Sequence, residues 1–173
     1  MKLAAVVAAV ISLGLLSASA ADVHAKISDV HLCCQGCING VQKAVARVEG
    51  AKAEIDQDAG TVTLAAPDAA TAQKAADALV EAGYFGTSND SAVKLSTVCG
   101  AKGEKVQSLK IEGVHLCCGK CVKAVDRAVK SVAGAKEHTA VKGAKTFEVT
   151  GDFNDQELFT ALQKQGLTGK VAK

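Results

Sequence analysis

The chain has 173 residues with 20 lysines and arginines against 18 acidic residues, and a formal net charge of +2 offers no basic surface for nucleic acid. The five aromatic residues, Tyr84, Phe85, Phe147, Phe153 and Phe159, are too few for a base-stacking platform. The core must therefore come from Val, Ala, Leu and Ile.

At the amino terminus Met1-Lys2 leads into an apolar run over 3–16 and then into Ser17-Ala18-Ser19-Ala20-Ala21. A charged start, an apolar stretch too short to span a bilayer comfortably and small residues before a cut mark a secretory signal peptide, residues 1–20. The mature chain is expected to be periplasmic or secreted. No later apolar run is long enough for a membrane span.

The first domain, 22–90, is predicted to open with a strand over 24–30. It runs into Val30-His31-Leu32-Cys33-Cys34-Gln35-Gly36-Cys37. Beyond it Cys37, Val41, Ala44, Val45 and Val48 recur at intervals of three and four, which places a helix over 37–48 with one apolar face. Gly50 stops that helix. Alternation over 52–56 and 61–64 around Asp58-Ala59-Gly60 predicts a hairpin. Pro67-Asp68 opens a second helix through Ala82 with Ala72, Ala75, Ala76 and Leu79 inward, Gly83 ends it, and a short strand over 84–88 closes the unit.

Residues 91–106 carry Ser, Gly, Lys and Glu with few large apolar side chains and read as a linker, with a short edge strand predicted over 92–98. The second domain, 107–173, then repeats the first. An offset of 84 positions superposes 30–52 on 114–136 without a gap, pairing Val41 with Val125, Ala44-Val45 with Ala128-Val129 and Gly50-Ala51-Lys52 with Gly134-Ala135-Lys136. Strands are predicted over 109–114, 137–141 and 145–149, and a helix from Cys121 to Val132. A second helix is predicted after an Asn154 cap with Glu157 reaching back, then a stop at Gly166 and a last strand over 168–171. The fold class is α+β: two tandem βαββαβ units, each packing two helices on one face of an antiparallel sheet.

Six of the seven cysteines fall in two windows, 30–37 and 114–121. Bridges that close long loops need cysteines spread along a chain, so three within five positions favour a metal or a local redox pair over a disulfide framework. Each window ends at a helix start, where unpaired N–H groups favour a thiolate, the form that binds metals and attacks disulfides. Cys99, outside both windows, reads as a free or partner-linked thiol.

Cys34-Gln35-Gly36-Cys37-Ile38-Asn39-Gly40-Val41-Gln42-Lys43-Ala44-Val45 and its counterpart over 118–129 resemble the heavy-metal-associated domain of copper chaperones, of the tails of copper-exporting ATPases and of the periplasmic mercury scavenger. Val48-Glu49-Gly50 and Ala82-Gly83-Tyr84 fit the same pattern. The resemblance implies two ferredoxin-like modules that carry soft metals on Cys-x-x-Cys thiolates. Both loops depart from it: Leu32 and Leu116 stand at the family's Met, Cys33 and Cys117 at its Thr, and His31 and His115 near its Gly. The candidate ligands are thus Cys33, Cys34, Cys37, Cys117, Cys118 and Cys121, with His31 and His115.

Two thiolates suit linear Cu(I) or Hg(II), three suit trigonal Cu(I), and three with one imidazole suit closed tetrahedral Zn(II). Cu(I) is the expected ion, with Zn(II) and Hg(II) as alternatives. The leading function is sequestration or delivery of that ion by ligand exchange, with relay or bridging between two sites. The partner is the metal ion, exchanged with a metal-transporting membrane protein or another carrier. No paired carboxylates, activated serine or phosphate loop suggest an enzyme. A thiol-disulfide module and an interaction module with structural zinc are the competing functions.

Overall fold

In the computed structural model, which describes residues 22–173, the first strand β1 (Val23–Ser28) pairs antiparallel with β3 (Thr61–Ala66), placing Ala25 opposite Leu64 and Ile27 opposite Val62. These four side chains are buried, so the period-two pattern faces one side of the sheet inward. Strand β2 (Lys52–Asp56) adds to the far side of β3, and the two-residue β4 (Thr87–Ser88) pairs with the end of β1. Helices α1 (Gln35–Val45) and α2 (Ala69–Glu81) bury Cys37, Val41, Ala44 and Val45, and Ala72, Ala75, Ala76 and Leu79. Every residue that the helical spacing turned inward is buried except Val48, which lies beyond the end of α1 and is half-buried.

The second half repeats this order with β5 (Lys105–Glu112), α3 (Gly119–Lys130), β6 (Ala135–His138), β7 (Thr146–Asn154), α4 (Asp155–Lys164) and β8 (Lys170–Val171). The sheet orders are β2-β3-β1-β4 and β6-β7-β5-β8, and all pairings are antiparallel. Two four-stranded antiparallel sheets with two helices each are what a ferredoxin-like arrangement predicts. The expected signal segment lies outside the described residues. Among the described residues no helix is long and apolar enough to cross a membrane.

The two cores use different chemistry. Alanines fill the first, while Phe147, Phe153 and Phe159 are buried in the second.

Local signals place most boundaries. Asp68 caps α2 by accepting from the Thr71 amide at 2.7 Å, and Asn154 caps α4 by accepting from the amides of Gln156 and Glu157. The Glu157 contribution is its amide, where the sequence suggested its side chain. One expectation about the connecting segment differs from the structure, and one, the free or partner-linked Cys99, is narrowed to a free thiol. No strand forms over 92–98, because the Gln73 side chain of α2 takes both the amide and the carbonyl of Lys94 at 2.8 Å, satisfying the groups a strand partner would need. Cys99 is buried with its carbonyl accepting from the Val171 amide at 2.7 Å, so its thiol sits in the core and is not displayed for a partner.

The halves dock through their helix stops. Gly83 and Gly166 both hold positive φ, 87° and 71°, which ends α2 and α4 as the sequence predicts. They also touch the opposite half. A Cβ on Gly83 would collide with the Gly113 carbonyl and the His115 amide, and one on Gly166 with the Asp29 carbonyl and the His31 amide. Reciprocal backbone bonds follow, from His31 and Phe85 to the Gly166 carbonyl and from Thr168 to the Gly83 carbonyl. Tyr84 and Leu167 complete an antiparallel bridge between the halves.

Candidate metal centre

Asp29 and Gly113, 84 positions apart, both adopt positive φ just after β1 and β5 and turn the chain into the cysteine loops. Val30 and Leu32, and likewise Val114 and Leu116, are buried, so the intervening His31 and Cys33, His115 and Cys117 face the other way. The helices then begin two residues earlier than the apolar spacing suggested, at Gln35 and Gly119. This is the turn that brings Cys34 back. Cys34 and Cys118 are the extended N-caps, and their carbonyls accept from the amides of Cys37 and Cys121 at 2.9 and 3.1 Å. Neither helix has a side-chain cap or an acidic residue in its first turn, so both positive helix ends face the sulfurs.

Docking of the halves merges the two loops. Cys33 Sγ lies 3.3 Å from Cys118 Sγ and 3.6 Å from both Cys37 and Cys121. Cys117 Sγ lies 3.5 Å from both Cys34 and Cys37 and 3.6 Å from Cys121, and Cys118 stands 3.9 Å from Cys121. The shortest pair crosses between the halves, so the six sulfurs form one cluster where the sequence had suggested two sites. Gly36 leaves room for it, since a Cβ there would come within 3.3 Å of Cys117 Sγ.

The histidines diverge. His31 offers a ring nitrogen within 4.8 Å of the Cys33 and Cys121 sulfurs, and its Nε2 is buried without a hydrogen-bond partner. His115 Nε2 instead stands 3.0 Å from the Tyr84 hydroxyl, whose proton goes to the Cys37 carbonyl at 2.9 Å. His115 belongs to none of the sulfur triplets. The difference traces to Tyr84, which has Leu167 as its counterpart in the second half and so no hydroxyl to offer His31. Gly40 makes space for this arrangement, because a Cβ there would strike the Tyr84 hydroxyl.

Crowding sets the titration of the thiols. Burial, reinforced by the Cys118 and Cys121 sulfurs, pushes Cys33 up to about 12, and burial raises Cys117 likewise. Cys121 is raised by the Cys37 thiol first and by burial second. Cys118 moves the other way: burial pushes it up, but the amides of Cys121 and Lys120 and the Cys33 thiol outweigh that and hold it below the ordinary thiol range. Burial lowers His115 and raises Tyr84, so both are neutral near pH 7. Lys120 Nζ donates to the Cys33 carbonyl at 3.3 Å and so brings a positive charge to the edge of the centre.

The sequence pointed to all six cysteines through their repeated spacing. It did not point to Gly36, Gly40, Gly83, Gly166 or Lys120 as parts of the centre. Gly83 and Gly166 read only as helix stops, because nothing local distinguishes a glycine that ends a helix from one that also admits another half.

No protein-family model matches the chain, and no curated protein does. Among solved structures it is similar to the N-terminal soluble domains of Bacillus subtilis CopA, with 14% sequence identity over 88% of this chain and 95% of that chain and a TM-score of 0.34.

Proposed function

We propose that this chain is an exported soft-metal-binding protein that sequesters or delivers Cu(I), or a similar thiophilic ion, by thiolate ligand exchange. The observation that carries the reading is the convergence of six cysteine sulfurs, with close pairs 3.3–3.9 Å apart, at two uncapped helix starts. Thiolates select Cu(I), Hg(II) and Zn(II) over hard cations, and at one helix start the amides of Cys121 and Lys120 hold Cys118 below the ordinary thiol range. Cys33, Cys34, Cys117 and Cys118 are half-exposed while Cys37 and Cys121 are buried, so an incoming carrier can attack at the rim while the inner sulfurs keep hold of the ion. Exchange through such rim thiolates suits hand-over to a metal-transporting membrane protein or a second carrier.

The core is built mainly from Ala, Val, Leu, Ile and Phe side chains, with Cys37, Cys99 and Cys121 the cysteines buried among them, which supports a cargo role for the metal over a structural one. The test is anaerobic titration of the reduced mature chain with Cu(I), and separately with Zn(II), against competing chelators. Chelator-resistant Cu(I) binding that Cys34→Ser with Cys118→Ser abolishes, in a chain that keeps its circular dichroism when stripped of metal, is the expected result. Tight Zn(II) whose removal melts the fold would make the sites structural. Failure to hold either ion, with readily cycled cysteine pairs, would point to thiol-disulfide exchange.

A further inference from the structure

The six sulfurs carry more order than a cluster needs. Of the sulfur triplets within mutual ligating reach, three meet only at their corners: Cys33, Cys34 and Cys118; Cys34, Cys37 and Cys117; and Cys117, Cys118 and Cys121. Any two of these triangles share one corner. The corners left unshared are Cys33, Cys37 and Cys121; Cys33 stands 3.6 Å from each of the other two, so closing the Cys37–Cys121 edge on loading makes a fourth triangle. Every sulfur is then a corner of two triangles. This is the connectivity of an octahedron of sulfurs with metals on alternate faces.

Resting on the soft-metal reading above, we infer that the two halves together take up Cu(I) as one tetranuclear cluster. Each ion is trigonal on one triangle, and each of the six thiolates bridges two ions. A metal–thiolate bond of about 2.3 Å places the three sulfurs around a trigonal ion about 4 Å apart. The close pairs already stand at 3.3–3.9 Å, so loading needs only a small expansion.

Charge balance favours four ions over two. Six thiols lose their protons on loading. Two Cu(I) ions would leave four negative charges in a half-buried centre, whereas four leave two. The protein offers compensation for about two: two helix N-termini worth about half a charge each, and Lys120 beside the Cys33 carbonyl. His31, with its unpartnered buried Nε2 near Cys33 and Cys121, lies against the fourth triangle and is placed to hydrogen-bond a sulfur there.

The alternative is two separate trigonal ions, one per half. Shared corners make the outcomes differ, because bridging sulfurs couple the ions and loading becomes all-or-none. The experiment is native mass spectrometry of the reduced full mature chain at rising Cu(I), with X-ray absorption of the loaded sample. At half loading the expected spectrum holds metal-free and four-copper chains with little between, and the absorption shows a short copper–copper vector. Cys34→Ser removes a corner of two triangles and is expected to abolish the four-copper species. The fold tolerates it, since serine is a favoured N-cap at this position. Two coppers per chain filled stepwise, with no copper–copper vector, would overturn the cluster and leave the soft-metal reading standing. No chelator-resistant copper at all would overturn both.

Discussion

Cys33 shows how a single side chain carries the cost of this centre. Its thiol is pushed up to about 12 by burial and neighbouring sulfurs, so the metal-free protein keeps it protonated. In the unfolded chain the same thiol titrates at about 8.5. A group raised in the folded state adds stability below its unfolded value and loses it as pH rises toward the folded one. Cys117 and Cys121 are raised too and act in the same direction. The metal-free, reduced protein should therefore lose stability between pH 8.5 and 11, by on the order of 1–3 kcal/mol for each unit or two of shift retained. Anaerobic urea denaturation at pH 7, 8.5, 10 and 11 checks this, and a flat profile would mean that the thiols are solvated. Cys118, held low, contributes the opposite slope below the ordinary thiol range and reduces the effect near neutrality.

At the level of elements, the start of α4 does two jobs. Asn154 caps the helix, while the buried Asp155 accepts from the amides of Lys102, Gly103 and Glu104 at 2.8, 2.8 and 2.9 Å. Those amides end the connecting segment, so one carboxylate fixes where β5 begins. Burial alone would raise Asp155, but the three amides outweigh it and hold it low. Asp155→Ala should cost about 1.5–3 kcal/mol in chemical denaturation, since it removes the buried acceptor of three charge-assisted bonds. Amide hydrogen exchange at Lys102–Glu104 should speed up with it. The sign of the pH effect is the reverse of the thiols: the contribution is present above about 3.9 and is lost as pH falls through the lowered folded value. If Asp155→Ala matches the parent in stability and exchange, the segment is held by other contacts such as Val93 and Cys99 in the core.

At the scale of the whole molecule, the centre exists only while the halves are docked. Backbone carries part of the contact, through two glycines with positive φ, three reciprocal bonds and the Tyr84–Leu167 bridge. Side chains carry the rest through Tyr84–His115, Lys120 on the Cys33 carbonyl and the sulfurs themselves. A side chain at Gly83 or Gly166 would collide with backbone of the opposite half in addition to straining its own φ. Gly166→Val should therefore cost about 2 kcal/mol or more and separate the halves. Small-angle scattering of the metal-free variant would show a longer particle, while each half keeps its secondary structure by circular dichroism. An unchanged radius would mean that the loops find each other without the glycine contact. Gly166 touches no sulfur, but its carbonyl accepts from the His31 amide, so a change in metal loading in this variant reports docking together with the placement of His31.

The sequence alone determined the elements, the pairing of the halves by an offset of 84 positions and the six sulfurs with their types and spacing. It did so because these are short-range properties. Apolar residues at three and four apart must line one helix face, alternation must line one sheet face, and glycine after a helix must hold positive φ. Helix starts were off by two residues because Gln35-Gly36 and Gly119-Lys120 add nothing to the apolar stripe, although the backbone already turns there. The tertiary structure decided everything that joins one half to the other. That Cys33 meets Cys118, that His31 stands by the sulfurs while His115 turns to Tyr84, and that Cys99 is buried depend on which surfaces touch. Two surfaces assembled from loops 84 positions apart leave no periodic trace in either loop. Their fit rests on glycines and on the Tyr84–Leu167 difference, which acquire meaning only once the opposite half is in place.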